Sequence, residues 1–151
     1  MSIGEYCNRE VIIARKSATI REIAQLMREH HVGSVVIAED DHGNNIPVGI
    51  ITDRDIVIEV LAPDVNIKSI TAGDIMATEL KTIREIDSVW DTIRGMRSRG
   101  VRRVPVVNDE GVLTGIVSVD DLIEAISGEL SDLIKIISKE QDRERAIRTK
   151  H

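Results

Sequence analysis

The chain has 151 residues, a formal net charge of −6, a single cysteine and 1% aromatic residues. One cysteine excludes an internal disulfide framework, and an acidic chain with one Trp, one Tyr and no Phe offers polyanions neither a global attraction nor rings for bases to stack on. No apolar run approaches the roughly 18 residues of a membrane span and no signal segment is legible, so the expectation is a cytoplasmic protein that binds neither membrane nor nucleic acid.

In chain order, residues 3–8 read as a short helical turn leading into a strand over 11–14. Thr19 with Glu22 has capping-box spacing, and Ile20, Ile23, Ala24 and Met27 then recur at three and four residues, which predicts a helix with one buried face. Residues 33–38 form a β-branched run suited to a buried strand. The polar segment 39–45 reads as a turn, 48–51 as the next strand and 54–61 as a helix stopped by Pro63.

Residues 62–72 read as a joint, after which the order repeats. Ser88 with Asp91 renews the capping signal, and Val89, Ile93 and Met96 form the buried face of the next helix. Strands are expected over 101–107 and 112–117, separated by the turn Asn108-Asp109-Glu110-Gly111, and a helix starts near Val119. Trp90 falls on the polar face of its helix. Beyond the second copy, Leu122, Ile123, Ile126, Leu130, Leu133, Ile134 and Ile137 extend an apolar stripe that needs a cover. Folding back on the chain's own body and pairing across a homodimer are both open. The charged run 139–151 is expected to fray.

The repeat is explicit in the letters. Gly4 falls on Gly73, Glu10 on Glu79, Arg15 on Arg84, Met27 on Met96 and Val32 on Val101; after residue 40 the offset shortens, and Gly49-Ile50-Ile51-Thr52-Asp53-Arg54-Asp55 returns as Gly115-Ile116-Val117-Ser118-Val119-Asp120-Asp121. Two long copies suggest a pseudo-two-fold pair. Each reads strand, helix, strand, strand, helix, an α/β (α+β) unit, with residues 1–69 as the first domain, 70–128 as the second and 129–151 as a helical tail.

The chemistry sits where a strand ends in Thr52 or Ser118 and a helix begins. Free backbone N–H groups there suit an anionic or polar group, and a carboxylate such as Asp55 or Asp121 can accept two hydrogen bonds from a vicinal diol. The same Thr-x-x-Asp spacing also caps a helix, which is the plainer reading of spacing alone. His30, His31, Asp40, Asp41 and His42 could be drawn as a metal site, but a helix end and a turn account for them, and no metal is expected. The sequence carries no Ser-His-Asp order, P-loop, paired-carboxylate spacing or CxxC, so no enzymatic activity is expected.

The duplicated Gly-Ile-Ile-Thr-x-Arg-Asp string, with Val101-Arg102-Arg103-Val104-Pro105-Val106 inside the second repeat, resembles the CBS-domain family over residues 3–127. The resemblance implies two CBS repeats packed sheet to sheet, with clefts that bind an adenine nucleotide, AMP foremost, with ADP or ATP, or S-adenosylmethionine or an NAD-type compound, as alternatives. By position, Thr52 and Ser118 would meet phosphate or ribose oxygens, Asp55 and Asp121 the ribose hydroxyls, and Val32 and Val101 the adenine. Cys7, Ile12 and Val32 would share one cleft with Ser118 and Asp121; Met76, Lys81 and Val101 would share the other with Thr52 and Asp55. Arg102 and Arg103 stand where the family places cations against phosphate, whereas Gly33-Ser34 hold that place uncharged in the first copy. The implied protein is a homodimeric regulatory module acting on an unknown protein target, or a scaffold with degenerate clefts.

Overall fold

The computed structural model describes residues 1–77 and 79–149. Two three-stranded sheets repeat one topology. In the first, β1 (Ile13–Ala14) runs parallel to β2 (Ser34–Asp41), which pairs antiparallel with β3 (Asn44–Thr52). In the second, β4 (Ile83–Arg84), β5 (Arg103–Val107) and β6 (Leu113–Ser118) repeat that order and sense. Helix α1 (Ile20–His30) joins β1 to β2, and α4 (Val89–Arg99) joins β4 to β5. The expected strand, helix, strand, strand, helix order is therefore present twice.

Local chemistry sets the boundaries. Thr19 Oγ1 accepts the Glu22 N–H at 3.1 Å to start α1, and Ser88 Oγ accepts the Asp91 N–H at 3.0 Å to start α4. Both helices end in left-handed backbone, at His31 (φ 54°) and Gly100 (φ 67°). Ile23 and Met27 bury themselves against Val35, Ile37 and Ile51. Val89 and Met96 do the same against Val104, Val106 and Val117. Each such side chain contributes about 1.5–3 kcal/mol of hydrophobic stabilisation.

Three elements differ from the expected ones. The polar segment after Ala38 continues as strand to Asp41, and β3 resumes at Asn44, leaving His42 (φ 51°) and Gly43 (φ 87°) as a two-residue hairpin turn; this end of the hairpin projects into solvent, so its residues are polar without ceasing to be strand. The helix after Thr52 begins as α2 (Asp53–Ile56) and widens into a π-helical stretch, Val57–Leu61. The charged tail does not fray within the described residues: α5 (Val119–Arg148) is one 30-residue helix, and it does not fold back on the body. The last two tail residues lie outside the described residues.

The two repeats exchange their leading turns. Ile3, in a 3-10 turn (Ile3–Glu5), is fully buried in the second repeat's core, with its N–H on Asp87 O at 2.9 Å. Ala72, opening the short helix α3 (Ala72–Ile75), is buried in the first repeat's core, with its N–H on Ala18 O at 2.8 Å. The guanidinium of Arg9 ties the N-terminal segment to the second repeat through the Glu85 carboxylate and Thr114 O. Strands β3 and β6 face each other where the sheets meet. Among the described residues no helix is long and apolar enough to cross a membrane.

Candidate functional site

Each antiparallel pair carries one bulge beside a glycine. Val36 to Ile37 pair in step with Ile50 to Gly49 before the register slips at Ala38, and Val106 pairs with Gly115 before the slip at Val107. Glycine is needed at both places because the other repeat's leading segment crosses directly above. A Cβ on Gly49 would lie 2.5 Å from Met76 Sδ, and one on Gly115 would lie 2.7 Å from Cys7 Sγ. Cys7 and Met76 thus occupy equivalent positions as packing residues over the sheet seam. Burial raises the Cys7 thiol pKa, with the Arg9 cation opposing the shift, so it is a weak nucleophile at neutral pH.

Two cavities open beside this seam and are lined by corresponding residues. The first, of about 220 Å³, is bounded by Asn8, Glu10, Ile12, Val32 and Ser34 on one side and by Arg103, Ile116, Ser118 and Asp121 on the other. The second, of about 320 Å³, is bounded by Ala77, Glu79, Lys81, Val101 and Arg103 with Ile50 across from them. Glu10 and Glu79, Ile12 and Lys81, Val32 and Val101, and Ser34 and Arg103 are the same repeat positions. Each cavity therefore mixes both copies.

The expected residues divide between these places. Ile12, Val32, Ser118 and Asp121 meet in the first cavity, together with Arg103. Lys81 and Val101 line the second, again with Arg103, but Thr52, Asp55, Met76 and Cys7 are not on either wall. Arg102 is exposed and lines neither; its carbonyl instead accepts the Val119 N–H at 2.9 Å and fixes the start of α5. Asn8, Glu10, His31 and Ile116 were not anticipated as lining residues. The duplication of Glu10 as Glu79 was the available signal for one of them; Asn8 and Ile116 are joined by a bridge between segments more than a hundred residues apart, which no local pattern encodes.

The carboxylates act as caps. Asp121 Oδ2 accepts the Ser118 N–H at 2.9 Å and Ser118 Oγ accepts the Asp121 N–H at 3.2 Å; Thr52 and Asp55 exchange the same two bonds at 2.8 and 3.1 Å. A carboxylate offers about four acceptor sites, so capping through Oδ2 leaves Oδ1 available to a ligand. The electrostatics of the two cavities differ. The second has Lys81, Arg99 and Arg103 around Glu79, and the first has Arg103 against Glu10 and Asp121. Among the described residues no group of three or more His, Cys, Asp or Glu side chains is arranged to hold a metal ion.

Comparison with known proteins places this geometry in a wider group. A model of the CBS domain matches residues 3–62 and again 72–128. The uncharacterised protein MK0525 of Methanopyrus kandleri is 40% identical over 124 residues, which cover 82% of this chain and 62% of that protein, so the chain spans less than two thirds of that relative. Among solved structures, the CBS domain protein PAE2072 from Pyrobaculum aerophilum complexed with AMP superposes with a TM-score of 0.75 at 30% identity, covering 87% of this chain and 99% of that one. The CBS domain pair of protein MJ0100, in complex with 5′-methylthioadenosine and S-adenosyl-L-methionine, superposes with a TM-score of 0.74 at 28% identity over 85% of this chain and 98% of that one.

Proposed function

Because the chain belongs to the CBS-domain family as a tandem pair, we propose that it is a non-catalytic, cytoplasmic regulatory module that binds an adenosine-containing ligand, AMP in the first instance, in the cleft between its repeats. Residues 1–69 and 70–128 form the two halves of this module, and 129–151 its tail. The observation that carries the reading is the first cavity, where apolar Ile12 and Val32, hydroxyl Ser118, carboxylate Asp121 and cation Arg103 converge from both repeats. Val32 and Ile12 suit the faces of a base, Asp121 Oδ1 suits a ribose diol, and the Arg103 fork suits a phosphate. The relatives complexed with AMP, and with 5′-methylthioadenosine and S-adenosyl-L-methionine, support the adenosyl class.

The cavity of about 220 Å³ is smaller than the roughly 300–1,000 Å³ of drug-sized pockets. It encloses the nucleoside and leaves the charged end at the mouth. By the repeat, Thr52, Asp55, Val101, Lys81 and Met76 belong to the second site and Cys7 to the margin of the first, whereas Arg102 lies outside both. The test is a melting series on protein stripped of carried-over ligand, with AMP, ADP, ATP, S-adenosylmethionine and 5′-methylthioadenosine. Ligand at a hundredfold excess over its dissociation constant adds about 2.7 kcal/mol, which for a chain of this size raises Tm by roughly 5–10 °C. No shift with any of the five would sink the sensor reading in favour of a scaffold with empty clefts.

A further inference from the structure

From residue 127 to residue 149 every side chain of the tail segment is exposed, although Leu130, Leu133, Ile134, Ile136, Ile137 and Ile147 lie in it. At 1.5 Å per residue it extends about 33 Å beyond the body. Its large side chains keep a seven-residue spacing: Ile123, Leu130 and Ile137 on one line, and Ile126 and Leu133 on the line beside it, which Ile147 rejoins two repeats on, past Glu140. Such a spacing is the seam of a two-helix coiled coil. Leu130, Leu133, Ile134, Ile136 and Ile137 are 57–62% exposed, and a helix with an uncovered stripe of that size is not held by propensity alone.

We infer that α5 pairs antiparallel with α5 of a second copy of this chain. Charge decides both the occupant and the direction. The base of the helix carries Asp120, Asp121, Glu124, Glu129 and Asp132 with no cation before Lys135, whereas the far half carries Lys139, Arg143, Arg145 and Arg148 among three acids. At the base, Glu5, Asp121, Glu124, Glu129 and Asp132 border a recess of about 520 Å³, and Tyr6 already donates its hydroxyl to Glu129 at 3.3 Å. Antiparallel pairing brings the partner's Arg143 beside Glu129 and the partner's Arg148 toward this recess.

The same register sets Leu133 against the partner's Ile137 and Ile123 against the partner's Ile147. Glu140 and Glu144 interrupt the two apolar lines; parallel pairing would stack each on its own copy, a like-charge contact in a dry seam, whereas the antiparallel register sets them against the partner's Leu130 and the partner's Ile126 and avoids that repulsion. Opposed helix dipoles favour the antiparallel sense as well. The seven exposed large apolar side chains of α5 present on the order of 700 Å² at roughly 100 Å² each. With the aliphatic stems of the flanking Lys and Arg this approaches the about 800 Å² per partner of a stable interface.

The pairing is tested on the full chain without added ligand. Sedimentation equilibrium at micromolar concentration is expected to give an assembly whose mass halves in Leu133→Glu, with the body's unfolding transition unchanged. A wild-type monomer, or an assembly of equal mass in Leu133→Glu, overturns the inference. Direction is read separately in chains carrying Cys7→Ala. Ile123→Cys mixed with Ile147→Cys is expected to cross-link under mild oxidation while neither does alone; self-linking of Ile123→Cys overturns the antiparallel arrangement.

Discussion

Asp121 accepts the backbone N–H of Ser118 at 2.9 Å while its side chain also lines the first cavity, so one carboxylate caps the longest helix and faces the candidate ligand. Asp121→Ala is expected to lose on the order of 1 kcal/mol of stability through the cap and at least tenfold in AMP affinity through the ribose contact. Asp55→Ala should lose similar stability but affect only binding at the second site. Urea unfolding and titration calorimetry on the same samples separate the two effects; loss of the same binding event in both variants would refute the assignment of the two carboxylates to different sites.

Arg103 borders both cavities, and its counterpart in the first repeat is the uncharged Ser34. Its removal is therefore felt at either cleft. A hydrogen bond to a charged group contributes about 1.5–3 kcal/mol, so Arg103→Ala should weaken AMP roughly 10- to 100-fold and adenosine far less. Arg102, exposed and on neither wall, serves as the control. Equal losses for AMP and adenosine in Arg103→Ala would remove the phosphate role.

The two seam glycines differ in what surrounds them. A Cβ on Gly49 meets three atoms, at 2.5, 2.9 and 3.0 Å, all in the flexible Met76 side chain, whereas one on Gly115 meets Cys7 Sγ at 2.7 Å and the Asn8 carbonyl oxygen at 3.0 Å. Overpacking of this kind costs about 1–3 kcal/mol. Gly49→Ala should be largely rescued by Met76→Ala, and Gly115→Ala only partly by Cys7→Ala because backbone remains in the way. Double-mutant cycles from denaturant melts measure the difference.

Glu85 has its carboxyl pKa held below the ordinary 4.5 by its hydrogen bond from Arg9, with Thr114 assisting. A depressed folded-state value means that the contribution is complete above the unfolded value and disappears as pH falls through the folded one. Glu85→Gln should therefore be less stable than the wild type at neutral pH, with the gap closing as pH is lowered below the usual carboxylate range. A gap that stays constant down to strongly acid pH would show that the Arg9 contact is not the source.

Much of this architecture can be read in the letters because its signals are local. Capping pairs at Thr19 and Ser88, the β-branched run that opens β2, and the doubled glycine string each lie within a few residues, and they locate helices, strands and the repeat. The crossing of Ile3 into the second core and Ala72 into the first is non-local and escapes such reading, as does the approach of Asn8 to Ile116. The hairpin end at Asp41 and Asn44 was hidden for a different reason: a strand solvated on both faces has lost the alternation that identifies strands. Thr52 and Ser118 show the ambiguity of the site itself, since one hydroxyl-to-carboxylate spacing serves a cap and a ligand alike.

Because α5 starts at the wall of the first cavity, anything that tilts its first turn is magnified along its length. Thirty residues make about 45 Å of rigid arm, and a tilt of about 5° at Ser118 displaces the far end by roughly 4 Å. A small adjustment around a bound sugar would thus reach a neighbouring molecule as a movement of about three quarters of the 5.4 Å helical pitch.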